Sequence, residues 1–500
     1  MPSQILIDGH SLTPEAVWTV TDGGAVVRLA PAALAGLTAS RQVIEQALAS
    51  GKAVYGVNTG FGALSGVRIP DDQLAALQKN LVRSHAAGAG QPLAAPVVRA
   101  MMLLRANTLA KGVSGVRPVV VETLLALLNA GIVPVIPQQG SLGASGDLAP
   151  LAHLTLVLMG EGEAWVDGQC LPGAEALALK NIAPLTLEAK EGLALLNGTQ
   201  MMTALGCLAL RDAEQLADVA DLAGAMTIEA VRGSHQPFDE AIVNVRPHAG
   251  HRVSAARIRH LLAGSDIAPA HRDCAKVQDP YSLRCIPQVH GASRDALAYL
   301  RQVLSVEVNA ATDNPLVFPD GKIVSQGNFH GQPVAMALDF AAIAVAELAS
   351  IAERRIDKLM NPVFSDLPAF LVPESTRAGL QSGLMIVHYT AASLVSENKT
   401  LSHPAVVDSI PTSNDKEDHV SMGGWAARKL AKIIENTRWV LAAELVCAAQ
   451  GLEFRDGLQP GTGVWKAYQH LRQTVPPLTD DRSLSAAVAQ LAENLSEFNR

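Results

Sequence analysis

Aromatic side chains make up only 4% of this 500-residue chain. Its core must come from aliphatic residues, and alanine and leucine dominate, which suits closely packed helices. Cysteine is scarce as well. The five are Cys170, Cys207, Cys274, Cys285 and Cys447, and none forms a CxxC pair. An odd number at wide spacing argues against a disulfide framework or a zinc site. A reducing cytoplasm is the simplest setting. A basic excess is also missing: the formal charge of −8 gives no reason to expect nucleic acid or an anionic membrane as partner. No basic segment followed by a long apolar run opens the sequence, so no secretory signal is expected. The best membrane candidate, Val334 to Leu359, is broken by Asp339, Glu347, Glu353 and Arg354. It reads as a buried helix of a soluble protein. Internal repeats and low-complexity tails are absent too.

What is present is helical periodicity. The first thirty residues read as short strands and turns, with Asp22-Gly23-Gly24 as a turn signal. Apolar residues then recur at three- and four-residue spacings from Pro31 to Ser50 and from Asp71 to Gly88. Trp165-Val166-Asp167-Gly168-Gln169 reads as a small hairpin. Further helices are predicted over Thr186–Leu196, Met201–Thr227, Arg294–Asn309, Pro333–Met360, Leu380–Ser402, Gly423–Gly451 and Ser483–Leu495. The expected fold is mostly α, with a small mixed N-terminal region. The expected division is an N-terminal region over 1–200, a central helical bundle over 201–458 and a C-terminal helical cap over 459–500.

The most informative stretch is Gly140-Ser-Leu-Gly-Ala-Ser-Gly-Asp-Leu-Ala-Pro150. Held in a tight turn, the amide nitrogen of Gly146 can attack the carbonyl of Ala144, and glycine tolerates such a turn. Ser145 can then lose its hydroxyl as water. The product is an electrophile built from the chain itself, a 4-methylidene-imidazole-5-one (MIO) ring, with no exogenous cofactor. The alternative is a glycine-rich turn that only caps a helix or binds phosphate. The residues after it, Asp147 to Met159, read as a helix with polar and proline starts. Its positive N-terminal end would stabilise negative charge on the ring.

Other segments carry two readings each. Tyr55 in Tyr55-Gly-Val-Asn-Thr-Gly-Phe-Gly62 either fills space in a surface loop or carries a phenol over a site. Ser84-His85 ends a helix, as a cap or as a polar partner for a substrate ring. Asn197 is either a turn residue or a hydrogen-bond partner of substrate or electrophile. In Val277-Gln278-Asp279-Pro280-Tyr281-Ser282-Leu283-Arg284-Cys285, Tyr281 and Arg284 can share a helix face. Arg284 suits an α-carboxylate, or else pairs with Asp279. Phe329 in Gly327-Asn-Phe-His330 presents a ring or turns the chain. Ser413 to Val420, with Glu417, is a dense charged run of the kind that usually lies on a solvated face. No second His/carboxylate cluster has ligand spacing, so no metal is expected.

Taken in order from Tyr55 to His419, these segments resemble the MIO-dependent aromatic amino acid ammonia-lyase and aminomutase family. Within it, Ser84-His85, the Val277–Cys285 string and Glu417 resemble the histidine-acting branch. The resemblance implies a long central helical bundle of the ammonia-lyase/fumarase-like type, in a homotetramer with active sites shared between subunits. It implies elimination of ammonia from L-histidine to give trans-urocanate, or, as the alternative, action on tyrosine, phenylalanine or another aryl amino acid, as lyase or aminomutase. A non-catalytic helical assembly with an unreacted loop is the alternative from another class. The implied roles are Tyr55 or Glu417 as base and Arg284, with Gln278 nearby, on the carboxylate. Asn197 and Tyr281 stand near the electrophile, His85 and Glu417 on the imidazole, and Phe329 against the substrate. The chain departs from the pattern at Asp415-Lys416, at Ile286 and His290, and around Gln326, Gly331 and Gln332. Lys416 could pair with Glu417 and blunt its role; these departures together leave the elimination chemistry intact but put substrate identity in doubt.

Overall fold

The alanine-rich periodicity becomes helix throughout, with twenty α-helices and a few short strands among the described residues. The computed structural model describes residues 3–51, 53–60, 67–270, 277–373, 379–455 and 457–499. Phe61, Gly62 and Cys274 lie outside the described residues. The chain groups into two compact units, each assembled from separate stretches. The first is Met1–Leu208, Leu300–Asp339 and Pro404–Arg428; the second is Ala209–Tyr299, Phe340–His403 and Lys429–Arg500. This differs from a linear partition at 200 and 458. Four of the five unit boundaries fall inside the helices Gln200–Ala230, Ile286–Glu307, Gln332–Met360 and Gly423–Leu452; the fifth, at His403–Pro404, lies in a connection. Periodicity runs unbroken through a helix, so it carries no sign of such a boundary.

The first unit opens with strand β1 (Ser3–Ile7) paired in parallel to β2 (Ala25–Leu29). Between them lies helix α1 (Pro14–Thr21), absent from the sequence expectation although its signals are present: Thr13 accepts the Ala16 amide at 3.2 Å and Pro14 begins the first turn. Then come α2 (Pro31–Ala49), α3 (Leu74–His85), α4 (Ala95–Ala110), α5 (Pro118–Ala130), α6 (Leu148–Leu158), α7 (Gly173–Leu179) and α8 (Glu191–Leu196). The expected hairpin pairs Glu163–Val166 with Gln169–Pro172. Its turn residues Asp167 and Gly168 both have positive φ, 48° and 81°, as a two-residue hairpin turn requires. The helix expected from Thr186 starts only at Glu191. Lys190 sits at φ 77° with its ammonium 2.5 Å from Asp313, both side chains fully buried. A partner 123 residues away overrides the local pattern. Val43, Ile44, Val57, Leu74, Ala189 and Val317 form an apolar cluster that anchors the segment next to Tyr55.

The second unit has a polar core. Asp221 accepts from His290 Nδ1 at 2.7 Å, Ser254 Oγ at 2.5 Å and Arg294 Nη2 at 2.6 Å. Arg355 makes a two-pronged pair with Glu444 at 2.5 and 2.8 Å, and Thr227 donates to the same carboxylate. The Arg355 guanidinium also faces His290 Nε2 at 3.3 Å. A guanidinium only donates, so Nε2 accepts, Nδ1 carries the proton, and the buried imidazole is neutral. Burial by itself would raise the Asp221 acidity constant, but the His290 bond and the Arg294 charge overturn that and hold it at about 2. Ile286 is likewise fully buried. The two departures from the family pattern, Ile286 and His290, are thus packed into this core.

Gln332–Met360 is long and apolar enough to cross a membrane by length and composition. Two-thirds of its apolar window is buried, 67%, and its Asp339 accepts the Val406 amide at 2.8 Å.

Candidate active site

The Ala144-Ser145-Gly146 segment lies in the first unit, gripped by backbone and side chains from four distant stretches. Gly143 O accepts from the Gly331 amide at 3.1 Å and from Ser421 Oγ at 3.0 Å. Leu142 O accepts the Met422 amide at 2.8 Å. Ser145 O accepts Asn197 Nδ2 at 2.8 Å, and the Asp147 amide donates to Gly198 O at 2.6 Å. Ser145 Oγ donates to Glu417 Oε1 at 3.0 Å. Gly146 has φ 74°, and a side chain there would collide with the Gly198 carbonyl, so only glycine fits. The turn demanded by attack of Gly146 on Ala144 is therefore the kind of backbone present.

Asp147 precedes α6 but does not cap it with its side chain. The carboxylate instead accepts the Met201 and Met202 amides, at 2.8 and 3.0 Å, at the start of Gln200–Ala230, and Ser141 Oγ at 2.6 Å. Burial pushes its acidity constant up to about 6 against the pull of these three donors. The N-terminus of α6 is left open beside the loop, as the polar and proline start of the segment anticipates.

Three expected site residues meet directly: Ser145, Asn197 and Glu417. Asn197 ends α8, and its Oδ1 is buried with no hydrogen-bond partner among the described residues, an acceptor open to an N–H of a substrate. Glu417 takes the hydroxyls of Ser145 and Thr412. Its ion pair with Lys416 does not form among the described residues. Ser413, Asn414 and Asp415 all have positive φ, and Thr412 and Glu417 are bridged, so the exposed turn carries Lys416 away from the strand-like pair.

Phe329 is half-buried, two residues before the Gly331 amide that grips Gly143. Its neighbour His330 bonds the His419 carbonyl at 2.9 Å and stacks on the His419 ring, tying that stretch to the Glu417 segment. His85 ends α3, which packs on α6 and α8. Its Nδ1 lies 2.8 Å from Leu81 O, so Nδ1 carries hydrogen and Nε2 is left to meet a donor. Tyr55 is half-buried beside Gly56, whose backbone packs against Leu193 and Pro315.

Gln278, Tyr281 and Arg284 belong to the second unit and form a cluster of their own. Arg284 donates to Gln278 Oε1 at 3.2 Å and lies 4.8 Å from the Tyr281 ring centroid. The alternative pairing with Asp279 is not made, because Asp279 accepts the Ser234 amide at 2.7 Å. Arg284 Nε is buried without a partner among the described residues, and Tyr281 is 71% exposed. Sequence reading missed Asp147, Arg105, His153 and Glu307. His153 accepts the Gly88 amide at 3.1 Å, and Glu307, half-buried, is bonded by Thr199. Arg105 had a visible signal, a lone charge in the apolar run from Ala100 to Ala106.

The loop is thus clamped beside a helix N-terminus, with its serine on a carboxylate and an amide on its carbonyl. The chain belongs to the aromatic amino acid lyase family, whose model matches residues 12–473. It is 54% identical to the histidine ammonia-lyase of Anaeromyxobacter sp. (strain K), over 99% of this chain and 98% of that protein. Among solved structures it is similar to histidine ammonia-lyase from Trypanosoma cruzi, with TM-score 0.90 and 44% identity, covering 99% of this chain and 93% of that one. It is similar also to tyrosine aminomutase from Streptomyces globisporus, with TM-score 0.93 and 40% identity, covering 100% and 97%. The helical fold is the one these lyases and aminomutases share.

Proposed function

We propose that the protein eliminates ammonia from L-histidine to give trans-urocanate, without oxidation. The observation that carries this is the Ser145 contact set: the hydroxyl on Glu417, the carbonyl on Asn197, and Gly146 in the left-handed turn that ring closure needs. The residues fit an MIO group formed from Ala144-Ser145-Gly146. When formed, it supplies an electrophile that makes the amine easier to expel, and no exogenous cofactor or metal is needed.

The chain's own groups do the rest. Arg284, with its unpartnered Nε and braced by Gln278, holds the α-carboxylate. The Tyr55 phenol takes the β-proton, with the Glu417 carboxylate as the other candidate base. Asn197 and Tyr281 hydrogen-bond near the amine, and Phe329 lines the ring. The open Nε2 of His85 and the Glu417 carboxylate, both acceptors, take the two N–H groups of the protonated imidazole. A phenyl ring would leave both polar groups unpaired, at about 1–3 kcal/mol each. The working form is a cytoplasmic homotetramer with shared sites, so Tyr55 and the Gln278–Arg284 turn need not come from the subunit that supplies Ser145. Exposure of Tyr281 supports this.

The burial of Ile286 and His290 supports histidine over another aryl amino acid, since these departures are taken up by packing. Parallel product analysis with histidine, tyrosine and phenylalanine tests the reading. The expected result is ammonia and trans-urocanate, with the highest kcat/KM for histidine. Faster release from tyrosine or phenylalanine, a β-amino acid product, or no ammonia from any of the three would each overturn it.

A further inference from the structure

Arg105, with Arg355, is the largest fully buried side chain among the described residues. It sits on α4 among Met101, Met102, Leu103, Leu104 and Ala106, all at most 2% exposed. A guanidinium in such surroundings costs several kcal/mol unless its donors are met. Burial drags its acidity constant down to about 10, opposed only by the charge of Asp313. No ion pair relieves it among the described residues. Nε is buried without a partner among the described residues, and the other two nitrogens go to the end of α8 and the helix start after it: Nη1 to Asn197 O and to Gln200 Oε1, both at 2.8 Å, and Nη2 to Ala194 O. These carbonyls are the ones a helix C-terminus leaves without partners, and a cation there is favourable. Gln200 is fixed in turn, since its Nε2 donates to Thr108 and Thr312. A side chain on Gly198 would run into the guanidinium. The Asn197-Gly198 peptide is therefore locked from behind.

On its front face that peptide grips the loop. Asn197 Nδ2 bonds Ser145 O, and Gly198 O bonds the Asp147 amide. The first bond fixes the peptide plane before Gly146, and the second fixes the plane after it. The direction of the Gly146 nitrogen is set by both. We propose that Arg105 is the positioning residue for cyclisation of Ala144-Ser145-Gly146, acting through the Ala194–Gln200 turn; this rests on the reading that those three residues form the ring. The Gly146 nitrogen bonds the Ala144 carbonyl carbon, and the carbonyl oxygen leaves as water with the amide and one further proton. Ser145 then loses its Cα proton and its Cβ hydroxyl as a second water. No oxidant or reductant takes part.

A misplacement of about 1 Å in an attacking atom costs on the order of 10²-fold in rate. Arg105→Lys keeps the buried charge and much of the volume but lacks the fork that serves three acceptors. The test follows intact mass against time in full-length chains purified as folded protein. The wild type is expected to lose two waters. Arg105→Lys and Arg105→Gln are expected to lose them about 10²-fold more slowly, whereas Arg355→Met, a destabilising change in the second unit, cyclises at the wild-type rate. Folded Arg105→Lys cyclising as fast as the wild type overturns the proposal, even if Arg105→Gln does not fold. Equal slowing in Arg355→Met overturns it too, by making the effect one of general stability. A wild type that loses no water overturns the underlying ring reading instead, which sets the two failures apart.

Discussion

Asp147 in the first unit and Asp221 in the second are both fully buried, yet their acidities move apart. Asp147 is met by two amides and a hydroxyl, all neutral, and burial wins, so its carboxyl rises to about 6. Asp221 is met by Arg294 as well as by His290 and Ser254, and falls to about 2. The difference separates two uses of buried polarity. In the helical unit, charges are cancelled by opposite charges, which fixes how the helices register. Around the loop, charge is met by backbone dipoles, and part of the desolvation cost stays uncompensated. That is the pattern of a site built to hold a backbone in place, and such sites are where perturbed acidities gather.

The sharpest way to break this comparison is Ser145→Ala. Turnover is expected to fall by at least ~10³-fold, while stability shifts by only about 1 kcal/mol for the lost bond to Glu417. Intact mass should show the wild type lighter by two waters and the variant without the serine-derived methylene. Active wild-type protein of unmodified mass would end the ring reading. The mirror experiment is Arg355→Met, which strands Glu444. It is expected to cost about 3–5 kcal/mol by denaturant unfolding and to leave kcat of the folded protein unchanged. Loss of kcat without loss of stability would show that this ion pair serves the chemistry rather than the packing of the second unit.

A smaller effect sharpens the contrast by pH. Asp147 has its acidity constant raised from 3.8 to about 6, so its contribution to stability is full below pH 3.8 and is lost as pH rises through about 6. Asp221 is lowered from 3.8 to about 2, so its contribution is present above pH 3.8 and is lost as pH falls through about 2. Unfolding free energies of Asp147→Asn and Asp221→Asn, each set against wild type across this range, should bend in opposite directions. Curves bending the same way would refute the opposed environments.

The legible parts of the site were those with local grammar. Gly146 beside Ser145 needs a positive φ, and a polar Asn197 after an apolar helix stands out. Apart from the family resemblance Glu417 was legible only as part of a charged run, and the turn that turns Lys416 away depends on three successive left-handed residues that no periodicity encodes. Lys190 broke an expected helix because of Asp313, 123 residues on. Arg105 was visible as a charge out of place, but the carbonyls it serves belong to a turn some ninety residues later, 89 and 92 positions away. Helix existence followed from composition and spacing; which carbonyl meets which donor across the fold did not.

The hydroxyl that caps Gly143 O belongs to Ser421, 278 residues further along the chain. A ribosome working at about 5–20 residues per second takes roughly 14–56 s to cover that distance. For that interval the newly made loop has its glycines and its serine but not the far half of its clamp. The order of synthesis thus sets the order of assembly: the loop emerges first, and the clamp on Gly143 O is completed only when the Ser421 stretch has followed it.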